Sequence, residues 1–137
     1  MSCQRSLSGV MMHDLAPVPR QKRVLVVEDE VMLRYVTCEV LRDEGLTVIE
    51  AASGDEALEF LRTDGYVDLV FSDIQMPGAI DGIALAAHIH EEFPGTQVLL
   101  TSGQQRVNEH VPFIAKPYIV AIVLETIHTM LEGSDGE

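Results

Sequence analysis

The chain has 137 residues, 47% of them hydrophobic, with 10 glycines and 6 prolines, a composition that suits one globular domain and excludes a disordered or fibrous chain. Its formal charge of -13 and pI near 4.6 argue against a surface that neutralises nucleic-acid phosphates or anionic lipid, so neither nucleic acid nor membrane is expected as a partner. Two cysteines, Cys3 and Cys38, give neither a disulfide framework nor metal-ligand spacing, and no run approaches a signal-peptide core or a membrane span, so a reducing, cytoplasmic setting is expected.

Residues 1–20 lack periodicity and close on "PVPR", which reads as a flexible extension. The domain proper is expected over 21–132, with 133–137 as a polar tail. "VLVV" is the first strand, and it runs into Glu28, Asp29 and Glu30. Residues 31–44 follow as a helix with Leu33, Val36, Val40 and Leu41 on its inner face and Gly45 as its stop. "LTVIE" is a strand, and Ser53 with Glu56 forms a capping box that opens a helix whose Ala57, Leu58 and Leu61 point inward. "VDLVFSD" is an apolar strand ending in acid, and Ile83 to Phe93 is a helix stopped by Pro94 and Gly95. "QVLLTSG" is a strand ending in hydroxyls, "VPFIAKPY" a short strand ending at Lys116, and 119–131 the last helix. Strands alternating with helices predict an α/β domain, its parallel sheet covered on both faces and its ligands at the carboxyl ends of the strands.

Those carboxyl ends carry the polar residues. Glu28 and Asp29 end the first strand, Asp73 the third, Thr101 the fourth and Lys116 the fifth. Taken singly, each has a bland explanation as a turn residue, a strand residue or a solvated lysine. Together, at one end of an otherwise apolar sheet, they describe a site. Three clustered carboxylates repel unless a hard divalent cation sits among them, and Mg²⁺ takes one or two carboxylates and keeps waters. An ammonium and a hydroxyl opposite that cation complete a pocket for a tetrahedral anion, so phosphoryl transfer is the natural chemistry. Asp73, on a central strand between the metal-binding pair and Thr101 with Lys116, is the best nucleophile, and its product is an acyl phosphate.

At "VVEDE", "FSDIQMPG", "LLTSG" and "FIAKPY", in that order and each at a strand end, the sequence resembles the receiver domains of two-component response regulators, over residues 23 to about 131. The resemblance implies a doubly wound, five-stranded, flavodoxin-like sheet of order 2-1-3-4-5. It implies that Asp73 takes phosphate from the phosphohistidine of a sensor histidine kinase or a histidine phosphotransfer protein, for an output protein the sequence does not name. Glu28, Asp29, Asp73 and the Gln75 main-chain carbonyl would hold Mg²⁺, Lys116 would pair with the phosphoryl group and Thr101 would bind it. Phe113 would be the aromatic partner of Thr101 in a switch, and without a hydroxyl its part would be steric only. As in that family, the chain would be a signalling phosphoacceptor that assists only its own phosphorylation and dephosphorylation, not an enzyme acting on other substrates.

Two departures stand out. "MPGAIDG" is one residue longer than the family's usual turn, and the segment from Ser102 to Pro112 is too short for a strand exit, an ordinary helix and a return loop. The fourth of the family's helices is therefore expected to be short or absent. The last helix needs only Val123, Leu124, Ile127 and Leu131 for its core stripe, which leaves Ile119, Val120 and Ile122 surplus. They either fill the space of the shortened helix or form an interface, including a homodimer through the last helix. An aspartyl-phosphate hydrolase is disfavoured, since Gln75 stands where a second acid would serve the leaving group. A receiver-like interaction module that works without phosphorylation is the main rival.

Overall fold

A computed structural model describes residues 21–104 and 111–135. The expected N-terminal extension over 1–20, and residues 105–110 of the segment in which a helix is expected to be short or absent, lie outside the described residues. In chain order the elements are β1 (Arg23–Val27), α1 (Val31–Asp43), β2 (Thr47–Ala51), α2 (Gly54–Thr63), β3 (Leu69–Asp73), α3 (Gly82–Glu92), β4 (Gln97–Ser102), β5 (Phe113–Ala115) and α4 (Val120–Asp135). Residues 103, 104, 111 and 112, between β4 and β5, are not helical, and the described residues form five strands and four helices, with a helix after every strand except β4.

All the strand pairs are parallel and their order is β2-β1-β3-β4-β5, as the resemblance implied. Alternate residues of the buried strands feed opposite layers. Val24, Val26 and Phe71 pack with Cys38 and Leu41 of α1 and with Val123, Ile127 and Leu131 of α4. Leu25, Val27 and Val70 pack with Ala57, Leu58 and Leu61 of α2 and with Leu85 and Ile89 of α3. The strands are apolar nearly throughout because both faces of the sheet are covered.

Local chemistry sets the helix ends. Ser53 Oγ accepts from Glu56 N at 3.1 Å, and the Glu56 carboxylate reaches back to the Ala52 amide, close to the expected capping box. Asp81 caps α3 by accepting from Ala84 N at 2.8 Å. Gly82 then lets α3 press on the tip of β3: a Cβ there would lie 2.3 Å from the Asp73 carbonyl oxygen and 2.6 Å from Ile74 Cα. The last helix runs beyond its expected end at residue 131, through Gly133. One glycine costs about 1 kcal/mol in a helix, too little to stop one whose Val123, Ile127 and Leu131 are already buried.

The inner face of α1 differs from expectation. Thr37, Cys38 and Leu41 are buried, Leu33 and Val40 are only half-buried, and Val36 is exposed. Apolar spacing could not reveal this, because Thr37 is buried through a hydrogen-bond partner far away in sequence, Tyr118. Of the surplus apolar residues at and before the start of α4, Val120 is half-buried, whereas Ile119 and Ile122 are 71% and 48% exposed. No helix among the described residues is long and apolar enough to cross a membrane.

Candidate functional site at the carboxyl edge of the sheet

β1 and β3 are neighbours whose connections leave in opposite directions, to β2 on one side and to β4 on the other, so a crevice opens at their carboxyl ends. Glu28 and Asp29 directly follow β1, and Asp73 is the last residue of β3. One carboxylate oxygen from each of these three residues lies within 4.8 Å of the others. Glu28 and Asp73 are buried and Asp29 is exposed.

Lys116, immediately after β5, reaches into this cluster. Its Nζ donates to Asp73 Oδ2 at 2.9 Å and to Glu28 Oε1 at 3.0 Å. The ammonium thus bridges the acid that ends β3 and the acid that follows β1. Burial works to lower the Lys116 pKa, but the bonds to Asp73 and Glu28 outweigh it and hold the ammonium above its ordinary value. Glu28 is held above the ordinary carboxylate value by burial, against the Glu30 amide and Lys116, which both favour its charged form.

Main-chain donors complete the acid pocket. Glu30 N donates to Glu28 Oε2 at 3.0 Å, and Gln75 N to Asp73 Oδ1 at 3.3 Å. Arg34 of α1 donates from Nη1 to the Glu28 carbonyl at 2.7 Å and from Nε to Glu50 Oε1 of β2 at 3.1 Å. Arg34 therefore ties the acidic turn to the edge strand. Sequence reading missed it, because nothing in the helical pattern marks which arginine turns back along the helix.

Thr101 pairs in register with Asp73 across β3 and β4, so the two side chains leave the same side of the sheet. Its Oγ1 is buried, with no hydrogen-bond partner among the described residues. An unmet buried hydroxyl costs about 1–3 kcal/mol, and this one stands beside a carboxylate that could carry an oxygen-rich group. Phe113 is half-buried at the start of β5, opposite Leu100 in register, and Gln75 is exposed on the turn after Asp73. The fold therefore brings Glu28, Asp29, Asp73, Thr101 and Lys116 to one edge, with Gln75 and Phe113 beside them. A hard cation among the three carboxylates, and an anion between the ammonium and the free hydroxyl, both fit this donor set.

Between Glu30, Leu33, Gly103, Lys116, Pro117 and Tyr118 lies an open cleft of about 440 Å³ that leads to Lys116. Tyr118 forms part of its wall and was not singled out in the sequence. Its hydroxyl is 3.3 Å from Thr37 Oγ1, and burial pushes its pKa up, so it stays a neutral phenol.

Comparison with known proteins agrees with this geometry. The family model described as "Response regulator receiver domain" matches residues 24–120. The sensor kinase CckA of Brucella abortus is 36% identical over 121 residues, a match that covers 82% of this chain but 13% of that protein. The transcriptional regulatory protein PdtaR of Mycobacterium tuberculosis is 41% identical over 92 residues, covering 66% of this chain and 43% of that protein. The chain thus spans less than half the length of either relative. Among solved structures, the response regulator TrrA of Thermotoga maritima, in complex with Mg²⁺ and BeF, superposes with a TM-score of 0.71 at 29% identity, covering 80% of this chain and 98% of that one. With its sheet order, its acid–lysine edge and a family match across most of its length, this chain belongs to the response regulator receiver domains of two-component systems.

Proposed function

We propose that Asp73 is the phosphoacceptor of a two-component phosphorelay, taking a phosphoryl group from the phosphohistidine of a histidine kinase or a histidine phosphotransfer protein. The observation that carries this reading is the pairing of a buried carboxylate, held by Lys116 Nζ at 2.9 Å, with a register partner, Thr101, whose buried hydroxyl has no partner among the described residues. Glu28, Asp29 and Asp73, with the Gln75 carbonyl, would hold Mg²⁺, which when bound supplies charge neutralisation at the transferring oxygens.

This chain's own residues do the rest. An Asp73 carboxylate oxygen attacks phosphorus, the donor's phosphorus–nitrogen bond breaks, and the imidazole leaves with the bonding pair and takes up a proton. The acyl phosphate gains negative charge, for which Lys116 exchanges its bond to the Asp73 carboxylate, and Thr101 donates its hydroxyl to a phosphoryl oxygen. Movement of Thr101 toward that oxygen opens space for Phe113, a steric switch without a hydroxyl.

An apolar collar supports docking of a protein donor. Val31, Met32, Tyr35 and Val36 of α1, with Ile119 just before α4 and Ile122 in its first turn, are exposed large hydrophobics. The two helices pack on the same face of the sheet and both begin at its carboxyl edge, beside the cleft that leads to Lys116. Exposed aliphatic and aromatic side chains gathered around a polar centre are what a partner surface requires.

The test is incubation with Mg²⁺ and acetyl phosphate followed by intact-mass measurement. One added phosphoryl group, absent in Asp73→Asn, is the expected result. A protein that takes no phosphoryl group yet still binds a kinase or target would instead be an interaction module that works without phosphorylation.

A further inference from the structure

Lys116 needs an accurate position, and its surroundings supply few holds. β5 is only three residues long and pairs on one side alone. The Lys116 amide closes this pairing by donating to the Ser102 carbonyl at 2.9 Å. Beyond it, Pro117 and Ile119 are exposed, and α4 does not begin until Val120. Between these two points Tyr118 alone turns inward. Its ring packs on Phe71 with centroids 5.8 Å apart and planes tilted by 59°, and Phe71 lies two residues before Asp73 on β3.

The hydroxyl of Tyr118 makes the second contact. It meets Thr37 Oγ1 at 3.3 Å, and Thr37, 1% exposed, is the one polar member of the buried face of α1. A phenylalanine at 118 would bury the same ring and leave Thr37 without this partner. A valine at 37 would fill the same space as threonine. Pure packing therefore does not account for two hydroxyls that face one another in an apolar layer.

We propose that Tyr118 is a positioning residue: its hydroxyl, held by Thr37, fixes the Lys116–Pro117–Tyr118 turn and so sets where the Lys116 ammonium stands between Glu28 and Asp73. The pin joins α1 to that turn, with the ring as a spacer against β3. As a contribution to phosphoryl transfer it rests on Asp73 being the acceptor; as a statement about the placement of Lys116 it does not.

The chain contains two lysines, Lys22 and Lys116, so lysine-selective ¹⁵N labelling gives two side-chain ammonium signals, and Lys116→Ala assigns them. In metal-free wild type at mildly acidic pH, the Lys116 signal is expected to be sharp and slow to exchange. Tyr118→Phe and Thr37→Val should each broaden or shift it, and Thr37→Ser, which keeps the hydroxyl, should restore it. Labelling by acetyl phosphate at saturating Mg²⁺ should fall about fivefold in Tyr118→Phe and in Thr37→Val, and no further in the double variant. Cys38→Ala, on the same buried face, controls for lost packing: it should lower the melting temperature and leave both the lysine signal and the labelling rate unchanged. Wild-type signal and rate in Tyr118→Phe, or the same losses in Cys38→Ala, would overturn the proposal. If wild type itself takes no label, the acceptor reading fails, while the lysine signal still decides whether Tyr118 places Lys116.

Discussion

Asp68 and Asp73 bracket the same strand, and each is 6% exposed, yet the bonds that hold them differ. Asp68 is tied into the sheet through backbone: its Oδ2 accepts from Arg23 N at 2.8 Å, its amide donates to the Arg23 carbonyl at 2.8 Å, and its carbonyl accepts from Gln97 N at 3.0 Å, besides any other partner. Asp73 is met by one flexible ammonium and one long amide contact, with two further carboxylates and an unpartnered hydroxyl close by. Backbone partners cannot leave without undoing the sheet, whereas a lysine side chain can exchange one anion for another. Burial is therefore common to structural and chemical aspartates, and the replaceability of the partner separates them.

Substitution at the two positions should break this comparison in opposite ways. Asp73→Asn should eliminate covalent labelling while leaving the protein folded, because an amide is a far poorer nucleophile than a carboxylate, and Lys116 keeps its bond to Glu28. Asp68→Ala should label at the wild-type rate per folded molecule but lose about 1–3 kcal/mol of stability, since Arg23 N is left without its acceptor. Chemical denaturation with intact-mass measurement checks both. Full labelling of Asp73→Asn would place the acceptor elsewhere.

A divalent cation sharpens the contrast, because among the described residues the three-carboxylate cluster lies at the Asp73 end. Binding to the folded form alone should raise the melting temperature, by an amount equivalent to about 2.7 kcal/mol at a hundred times the dissociation constant. Asp29→Ala should lose that rise. An equal Mg²⁺ response in the two proteins would reject Asp29 as a ligand.

Ile122→Glu probes the collar beside the Asp73 end. With Ile122 48% exposed, the change should alter stability by no more than about 0.5 kcal/mol. Kinase-dependent labelling should slow while labelling by acetyl phosphate stays unchanged. Sedimentation of the same variant tests the homodimer through α4, which requires wild type to associate and Ile122→Glu not to. A loss of several kcal/mol would instead mean that this side chain fills interior space.

The smallest effect concerns the layer under α1. Burial pushes the Cys38 thiol up to about 12 from an ordinary value of 9.0. A raised folded pKa favours the neutral form, so this contribution to stability is complete below pH 9.0 and is lost as pH rises through about 12. At mildly alkaline pH, in a Cys3→Ser background, Cys38 should react with a thiol reagent only as fast as the protein opens, and accelerate once denaturant is added. Rapid reaction in the native state would contradict the packing of α1.

The alternation of strands and helices, the capping box at Ser53 and the gathering of Glu28, Asp29, Asp73, Thr101 and Lys116 were all legible in the sequence, because each follows from local periodicity or from position at a strand end. The sheet order came with the family resemblance, since pattern alone does not say which strands are neighbours. The buried stripe of α1 was misjudged at Val36 and Thr37 because a polar residue enters a core only with a partner, and that partner, Tyr118, lies 81 positions away. Arg34 was invisible for a similar reason. Its role depends on the direction of a long side chain, which neither spacing nor composition encodes.

Gly82 leaves no side chain between the acceptor strand and helix α3, and its amide is tied to the Ile74 carbonyl at 2.8 Å, while Ile74 N is tied to the Thr101 carbonyl at 2.9 Å. In mechanical terms this seam is stiff: backbone bears directly on backbone, with no compressible methyl group to absorb a displacement. Main-chain movement at Asp73 is thus delivered to the first turn of α3 undamped. Any larger residue at 82 becomes a permanent spacer, which either drives α3 outward or draws the tip of β3 out of step with Thr101.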